Sequence, residues 1–251
     1  MWILPTLNRP IQCAQVIDRL KKHGCSTPGV LFVNTVPAVI EKNTAEIDRE
    51  IQQKIAESDA SGIIHLYKNI DLPIGWEIII NQGNAGLCGA MNRVFNQYPN
   101  ENFYGLITDD EFVCSDGWDK TLAEAASDWN ISHGNNGWQS DRRIHGFMTI
   151  GGNLAREVGY LMPQGLWHWY SDDVWETIAN AADLRKYCRD VKIENRHWML
   201  GNAKKDKTYE LSESRNIQDN EIFLRWRKNN FPIIKEKILN RMGNPKTIYA
   251  L

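Results

Sequence analysis

The feature that most restricts this chain is an alternation in its first half, where short, continuous apolar runs are separated by stretches with helical spacing. Trp2-Ile3-Leu4 reads as a first strand. Pro10 stands where a helix can begin, and Ile11, Ala14, Ile17 and Leu20 share one helical face before Gly24. Val30-Leu31-Phe32-Val33 reads as a second strand. Thr44 suits the cap of a helix carrying Ile47, Ile51 and Ile55, with Glu50 and Lys54 as a surface pair. Ile63-Ile64-His65-Leu66 reads as a third strand and Ile78-Ile79-Ile80 as a fourth. Leu87, Met91, Val94, Phe95 and Tyr98 mark a further helix, and Phe103 to Ile107 a fifth strand. Strands apolar on both faces and alternating with helices imply an α/β fold, its mostly parallel sheet covered on both sides.

The second half is less regular. A helix is expected around Trp118, Leu122, Ala125 and Trp129, and a strand from His145 to Ile150. Another helix follows Ser171-Asp172-Asp173, and Val191-Lys192-Ile193 reads as a short strand. One or two helices run from about Ile217 to Met242, interrupted near Pro232. At 251 residues this amounts to one large domain, residues 1–212, with a helical C-terminal extension over 213–251 packed on it. The five cysteines are odd in number and widely spaced, with no C-x-x-C. That argues against a disulfide framework or a cysteine zinc site and points to a reducing, cytoplasmic setting. No run has the length of a membrane span, so no stable membrane insertion is expected, and the N-terminus has no signal-peptide pattern. A net charge of −2 gives no global pull toward nucleic acid.

In open α/β sheets ligands bind beyond the carboxyl ends of the strands. Here those ends are polar: Thr6, Asn8 and Arg9 after the first strand, then Asn34 and Thr35, then Asn81, Gln82 and Gly83, then Thr108, Asp109, Asp110 and Glu111. Turn chemistry explains one such edge, but four on one side suit a polar ligand with a hard cation. The three adjacent acids repel one another, and Mg²⁺ or Mn²⁺ with phosphate oxygens would relieve that repulsion. Gly83, Gly86 and Gly89 precede a helix, where they serve either an anion or tight strand–helix packing. Asp172 and Asp173 at a helix start offer a cap or a general base. His197, just past a strand, offers a metal ligand or an ordinary structural histidine. Trp138, Trp167 and Trp169 suit either packing or stacking against a ring.

Four stretches together resemble the GT-A-fold glycosyltransferases, particularly a family-2-like group of bacteria and phages. They are Pro5 to Pro10; Thr108-Asp109-Asp110-Glu111 with Gly117-Trp118-Asp119; Trp169 to Trp175; and Ile193 to Trp198 with Gly201, Lys204, Asp206 and Tyr209. The resemblance spans roughly residues 1–210 and implies a GT-A, Rossmann-like, mixed sheet. It implies that Thr6, Asn8 and Arg9 contact the nucleoside of a nucleoside-diphosphate sugar, and that Asp109 or Asp110 meets the ribose or a metal-bound water. Glu111 would ligate Mn²⁺ or Mg²⁺ with His197 completing the shell. Glu111 stands where aspartate is commoner, which keeps Asp110 open as the ligand. Asp172 or Asp173 would deprotonate the acceptor hydroxyl, with inversion at the anomeric carbon. The acceptor would be a cell-envelope saccharide or a hydroxymethylated pyrimidine in phage DNA, the latter placing a phage-encoded enzyme in a host cytoplasm. Two other classes compete. A nucleotide-sugar nucleotidyltransferase calls for a Gly- and Lys-rich loop after the first strand, which Pro5 to Pro10 lacks. A non-catalytic nucleotide-sugar- or DNA-binding protein would show no turnover for Asp172 or Asp173 to support.

Overall fold

The computed structural model describes residues 1–35, 60–139 and 143–243. Its centre is a mixed eight-stranded sheet in the order β3-β2-β1-β4-β7-β6-β8-β5. The strands are β1 (Trp2–Leu7), β2 (Gly29–Thr35), β3 (Trp76–Gln82), β4 (Phe103–Leu106), β5 (Glu111–Val113), β6 (Ile131–Asn135), β7 (Met148–Gly151) and β8 (Arg185–Asn195). Strands β3, β2, β1 and β4 run parallel, β7 runs against β4 and β6, and β8 lies parallel to β6. Strand β5 pairs with β8 in the antiparallel sense. The eight α-helices among the described residues are α1 (Pro10–Lys22), α2 (Ala60–Lys68), α3 (Gly86–Gln97), α4 (Trp118–Ala126), α5 (Gly152–Val158), α6 (Ser171–Ala182), α7 (Lys207–Asn229) and α8 (Phe231–Arg241).

Strands β1 and β2 are buried along their whole length, as their unbroken apolar runs require. Successive residues face opposite layers. Trp2, Leu4, Leu31 and Val33 pack with α1, α2 and α4 on one side. Ile3, Val30 and Phe32 pack with α3, α6 and the two C-terminal helices on the other. Each fully buried large side chain contributes about 1.5–3 kcal/mol. Trp2 fits only because position 105 on the neighbouring strand is glycine. A Cβ there would lie 2.1 Å from the Trp2 ring, so Gly105→Ala forces the core apart.

One expected element is corrected. Residues 63–66 do not form a strand; they lie in α2. Ile63 and Tyr67 are both buried while His65 and Lys68 are exposed, which is helical spacing. A four-residue apolar run carries no period of its own, so it is compatible with either state. The third strand is therefore Trp76–Gln82, around Ile78 to Ile80. The expected helix at 47–55, with Thr44, lies outside the described residues. The strand expected at 191–193 is the end of the eleven-residue β8, and the strand expected from 145 begins at Met148. Strands β5 and β6 and helix α5 are additional. The C-terminal helices break at Asn230, with Pro232 in the first turn of α8, where its missing N–H costs nothing. Helix α7 runs through positions 212 and 213, and its Phe223 and Trp226 belong to the core around Ile3 and Phe32.

No helix among the described residues is long and apolar enough to cross a membrane. The five cysteines are free thiols.

Candidate active site

Because β1 to β4 are parallel, their carboxyl ends open on one edge of the sheet. Strand β8 runs the same way, and its pairing of Asn195 with Glu111 delivers residues 195–197 to that edge. The amide of Arg196 donates to the carbonyl of Asp110 at 2.8 Å, which locks the two segments together. The N-terminus of α7 completes the edge. Asp206 caps it by accepting from the Tyr209 amide at 3.0 Å. Thr6, Arg9, Asn34, Asp109, Asp110, Glu111, Asp172 and His197 all line the resulting cleft.

The three consecutive acids have separate environments. Asp109 is buried and already satisfied, since it accepts from Thr6 Oγ1 at 2.9 Å and from Arg9 Nη1 at 2.9 Å. Burial nonetheless pushes its carboxyl up, and Arg9 opposes that shift. Arg9 also forms a bidentate pair with Asp206, at 2.8 and 2.6 Å, and lies 4.0 Å above the Tyr209 ring. Burial alone would lower the Arg9 guanidinium, but the two carboxylates outweigh it and hold it above its ordinary value. Arg9 is therefore a charge-balanced strut joining β1, the acidic run and α7.

Asp110 and Glu111 are not balanced in this way. Both accept from the hydroxyl of Thr108, Asp110 Oδ1 at 2.7 Å and Glu111 Oε2 at 2.8 Å. That hydroxyl has one proton to give. Tyr209 donates to the other Asp110 oxygen at 2.9 Å. Burial and the charge of Glu111 push Asp110 up. Two desolvated carboxylates competing for one proton form a site that a divalent cation suits. Among the described residues no three His, Cys, Asp or Glu side chains close a complete shell. Sites that bind through one or two carboxylates and take the remaining ligands from phosphate and water have this composition. His197 stands beside the pair with its ring edge-on to Tyr209 at 4.6 Å. Burial lowers its pKa, which favours the neutral imidazole that ligates metals.

Asp172 and Asp173, equivalent by sequence, are separated by the structure. Asp173 pairs with Arg143 at 2.5 Å and does not line the cleft. Asp172 lines it, and its carboxyl is pushed up to about 6 by burial and by the charge of Asp173, against the pull of Arg143. Trp138, Trp167, Trp169 and Tyr170 line the same cleft as Asp172.

Three residues expected at the ligand are not among its lining. Asn81 stands behind Asn34, donating to the Asn34 side chain at 2.9 Å and to Gly83 O at 2.9 Å. The Asn34 oxygen in turn accepts from the Ala85 amide at 3.0 Å. Gly83 forms a bridge with Thr35. Asn8 is exposed, with φ of 55°. The Gly86 expectation resolves toward packing: a Cβ there would lie 2.4 Å from the Trp167 carbonyl. Lys205 pairs with Glu213 at 2.6 Å and lies over the Trp198 ring.

The fold is similar to that of solved structures. A mannosyltransferase, PcManGT from Pyrobaculum calidifontis in complex with GDP-Man and Mn²⁺, matches with a TM-score of 0.54 at 12% identity. The match covers 100% of this chain and 75% of the mannosyltransferase. TarS of S. aureus matches with a TM-score of 0.50 at 13% identity, over 78% of this chain; the chain spans 36% of TarS. The chain has the GT-A fold. By sequence, no protein-family model and no curated protein matches it.

Several residues in or behind the cleft had no signal in the sequence. Tyr67 lies in α2, inside what reads as a strand flank, yet its hydroxyl accepts from the Arg9 amide at 2.8 Å. His168 lines the cleft, held to about 4 by burial and therefore neutral at pH 7. His145 lies 3.5 Å from Glu111. It receives the Phe147 amide at Nδ1, so its Nε2 carries the proton that is donated to Gly134 O at 3.0 Å.

Proposed function

We propose that the protein is a metal-dependent glycosyltransferase that moves a sugar from a nucleoside-diphosphate donor to an acceptor hydroxyl with inversion. The observation that carries this reading is the arrangement of carboxylates. Asp110 and Glu111 share one hydroxyl proton at the end of β4, and a separate, half-protonatable carboxylate, Asp172, lies in the same cleft.

Asp110 and Glu111 are the metal ligands in this reading, with His197 as the third. Bound Mn²⁺ or Mg²⁺ would neutralise charge on the departing nucleoside diphosphate. The donor's nucleoside sits against Thr6 and Asn34. Arg9, whose charge is already balanced, shapes that wall rather than pairing with phosphate. Asp172 accepts the proton of the acceptor hydroxyl as that oxygen attacks the anomeric carbon, and the bond to the diphosphate oxygen breaks. A pKa of about 6 leaves Asp172 mostly ionised at pH 7 and still basic enough for the task. Asp173, tied to Arg143, is spectator to that transfer.

Support also comes from the mannosyltransferase of like fold, which was solved with GDP-Man and Mn²⁺. The aromatic wall suits an acceptor that presents a ring face beside its hydroxyl, as a saccharide does, and as does a hydroxymethylated pyrimidine. The test is a screen of UDP- and GDP-sugars with Mn²⁺ and Mg²⁺ for hydrolysis and thermal shift. The expected result is a metal-dependent shift with at least one nucleotide. Silence across the panel, including UDP and GDP alone, sinks the reading. A DNA acceptor is separated from a saccharide by affinity that falls steeply with salt.

A further inference from the structure

The turn that leads into Asp172 is held from behind by one buried carboxylate. Asp219, in the middle of α7, is 1% exposed. Its Oδ1 accepts from the Trp167 amide at 2.9 Å, and its Oδ2 accepts from the amides of His168 and Trp169, both at 2.9 Å. Three consecutive backbone N–H groups thus converge on one side chain. One helical turn later, the Phe223 ring is stacked on Tyr170, with centroids 5.2 Å apart and planes inclined by 12°. Tyr170 has φ of 66°, a left-handed conformation that a bulky residue adopts only under outside constraint. Tyr170 is also the N-cap of α6, and its carbonyl accepts from the Val174 amide at 3.0 Å. Asp172 is the second residue of that helix.

We infer that Asp219 is a positioning residue: through the amides of 167–169, and with Phe223 beneath Tyr170, α7 sets the place of the Asp172 carboxylate in the cleft. The inference rests on the assignment of Asp172 as the base. The physical reason is leverage. Residues 167–170 have no strand or helix of their own, so their amides need a partner from elsewhere. An ionised carboxylate is a strong acceptor for such a cluster. Because a misplacement of about 1 Å at a reacting group costs on the order of 10²-fold in rate, a support this far behind the cleft becomes visible in turnover. The C-terminal helices then contribute to the reaction itself as well as to the core.

The test compares Asp219→Asn, whose amide nitrogen cannot accept a hydrogen bond, with Phe223→Leu, which keeps apolar bulk and removes the stacking. Asp119→Asn serves as control. Asp119 is another buried carboxylate that receives consecutive amides, those of Ser26 and Thr27 at 2.7 and 2.9 Å, away from the cleft. Hydrogen exchange by mass spectrometry over residues 166–171 is expected to quicken in Asp219→Asn and in Phe223→Leu and to stay slow in Asp119→Asn. On the nucleotide sugar that the wild type turns over, kcat is expected to fall about 10²-fold in Asp219→Asn. Donor KM and the Mn²⁺-dependent thermal shift with UDP or GDP should stay within about twofold. Wild-type kcat despite faster exchange overturns the inference, and so does a parallel loss of kcat, donor KM and nucleotide shift, which marks a general loosening. If Asp219→Asn does not fold, Phe223→Leu carries the same expectations at smaller amplitude. Exchange needs no substrate, so failure of the clamp and failure of the glycosyltransfer reading give different results.

Discussion

The two walls of the cleft are built on different principles. The wall proposed for the donor comes from the ends of parallel strands that are neighbours in space: Thr6 near the end of β1 and Arg9 after it, Asn34 at the end of β2, Asp109 to Glu111 after β4. Its side chains hang from buried strands and need little further support. The opposite wall is assembled from residues 167–172, the end of β8 and the first turns of α7. Apart from the end of β8 it has no strand of the sheet under it and depends on side chains that reach across the chain, Asp206 to Arg9 and Asp219 to the 167–169 amides. Sheet geometry therefore places the ligands of the first wall, and a few buried charges place those of the second.

That contrast can be broken at several points, and the largest effect is expected at Asp172. Asp172→Asn should lower kcat by about 10²–10⁴-fold while nucleotide binding, read by thermal shift, persists. Asp173→Asn should change kcat by only a few fold, because its partner is Arg143 on the rim. Equal losses for the two variants would return the assignment to a draw. Next come the carboxylates proposed to hold the metal. Asp110→Asn and Glu111→Gln should each raise the Mn²⁺ concentration needed for a nucleotide thermal shift by about 10–100-fold. A metal titration that neither substitution moves removes both from the ligand set.

The pH profile offers a sharper test of the second wall. Burial and Asp173 raise Asp172 to about 6, and in the proposed role its ionised form is the active one. Turnover should accordingly decline as pH falls through about 6, losing about tenfold per pH unit below it. A kcat flat from pH 7 to pH 5 contradicts the role. The smallest effect on turnover is expected from Asp119→Asn. Its Oδ2 receives the amides and hydroxyls of Ser26 and Thr27 at the end of the sheet away from the cleft. The variant should lose about 1–3 kcal/mol of stability in denaturant melts and keep wild-type kcat. A kcat loss there comparable to that of Asp219→Asn would erase the difference between a structural clamp and a positioning one.

The donor wall was largely legible from residue order. Buried parallel strands announce themselves as unbroken apolar runs, and the polar residues after them are found by counting. Asn81 and Gly83 fall on the expected edge, where they bond Asn34 and Thr35 and lie outside the cleft lining. Counting places a residue at a strand end but does not say which way its side chain is used. At 63–66 the apolar run was too short to carry a period, and the helix α2 formed there brings Tyr67 under Arg9. The second wall was legible only as fragments. Asp206, Tyr209 and the 169–175 segment could be singled out, but nothing around Asp219 distinguishes it from a solvated acid on a helix surface.

By itself, then, the amino-acid order determined an α/β chain with a strand-end acidic run at 109–111, because hydrophobic periodicity and strand alternation are local properties. Tertiary structure alone decided which carboxylates face the cleft and which are held by other partners. Asp109 pairs with Arg9, Asp173 with Arg143, and Asp219 accepts three amides, while Asp110, Glu111 and Asp172 line the cleft, Asp172 with Arg143 3.8 Å away. The physical reason is that a carboxylate's role is set by its partners and its burial, and those partners lie, in these cases, from about thirty to about a hundred residues away in the chain.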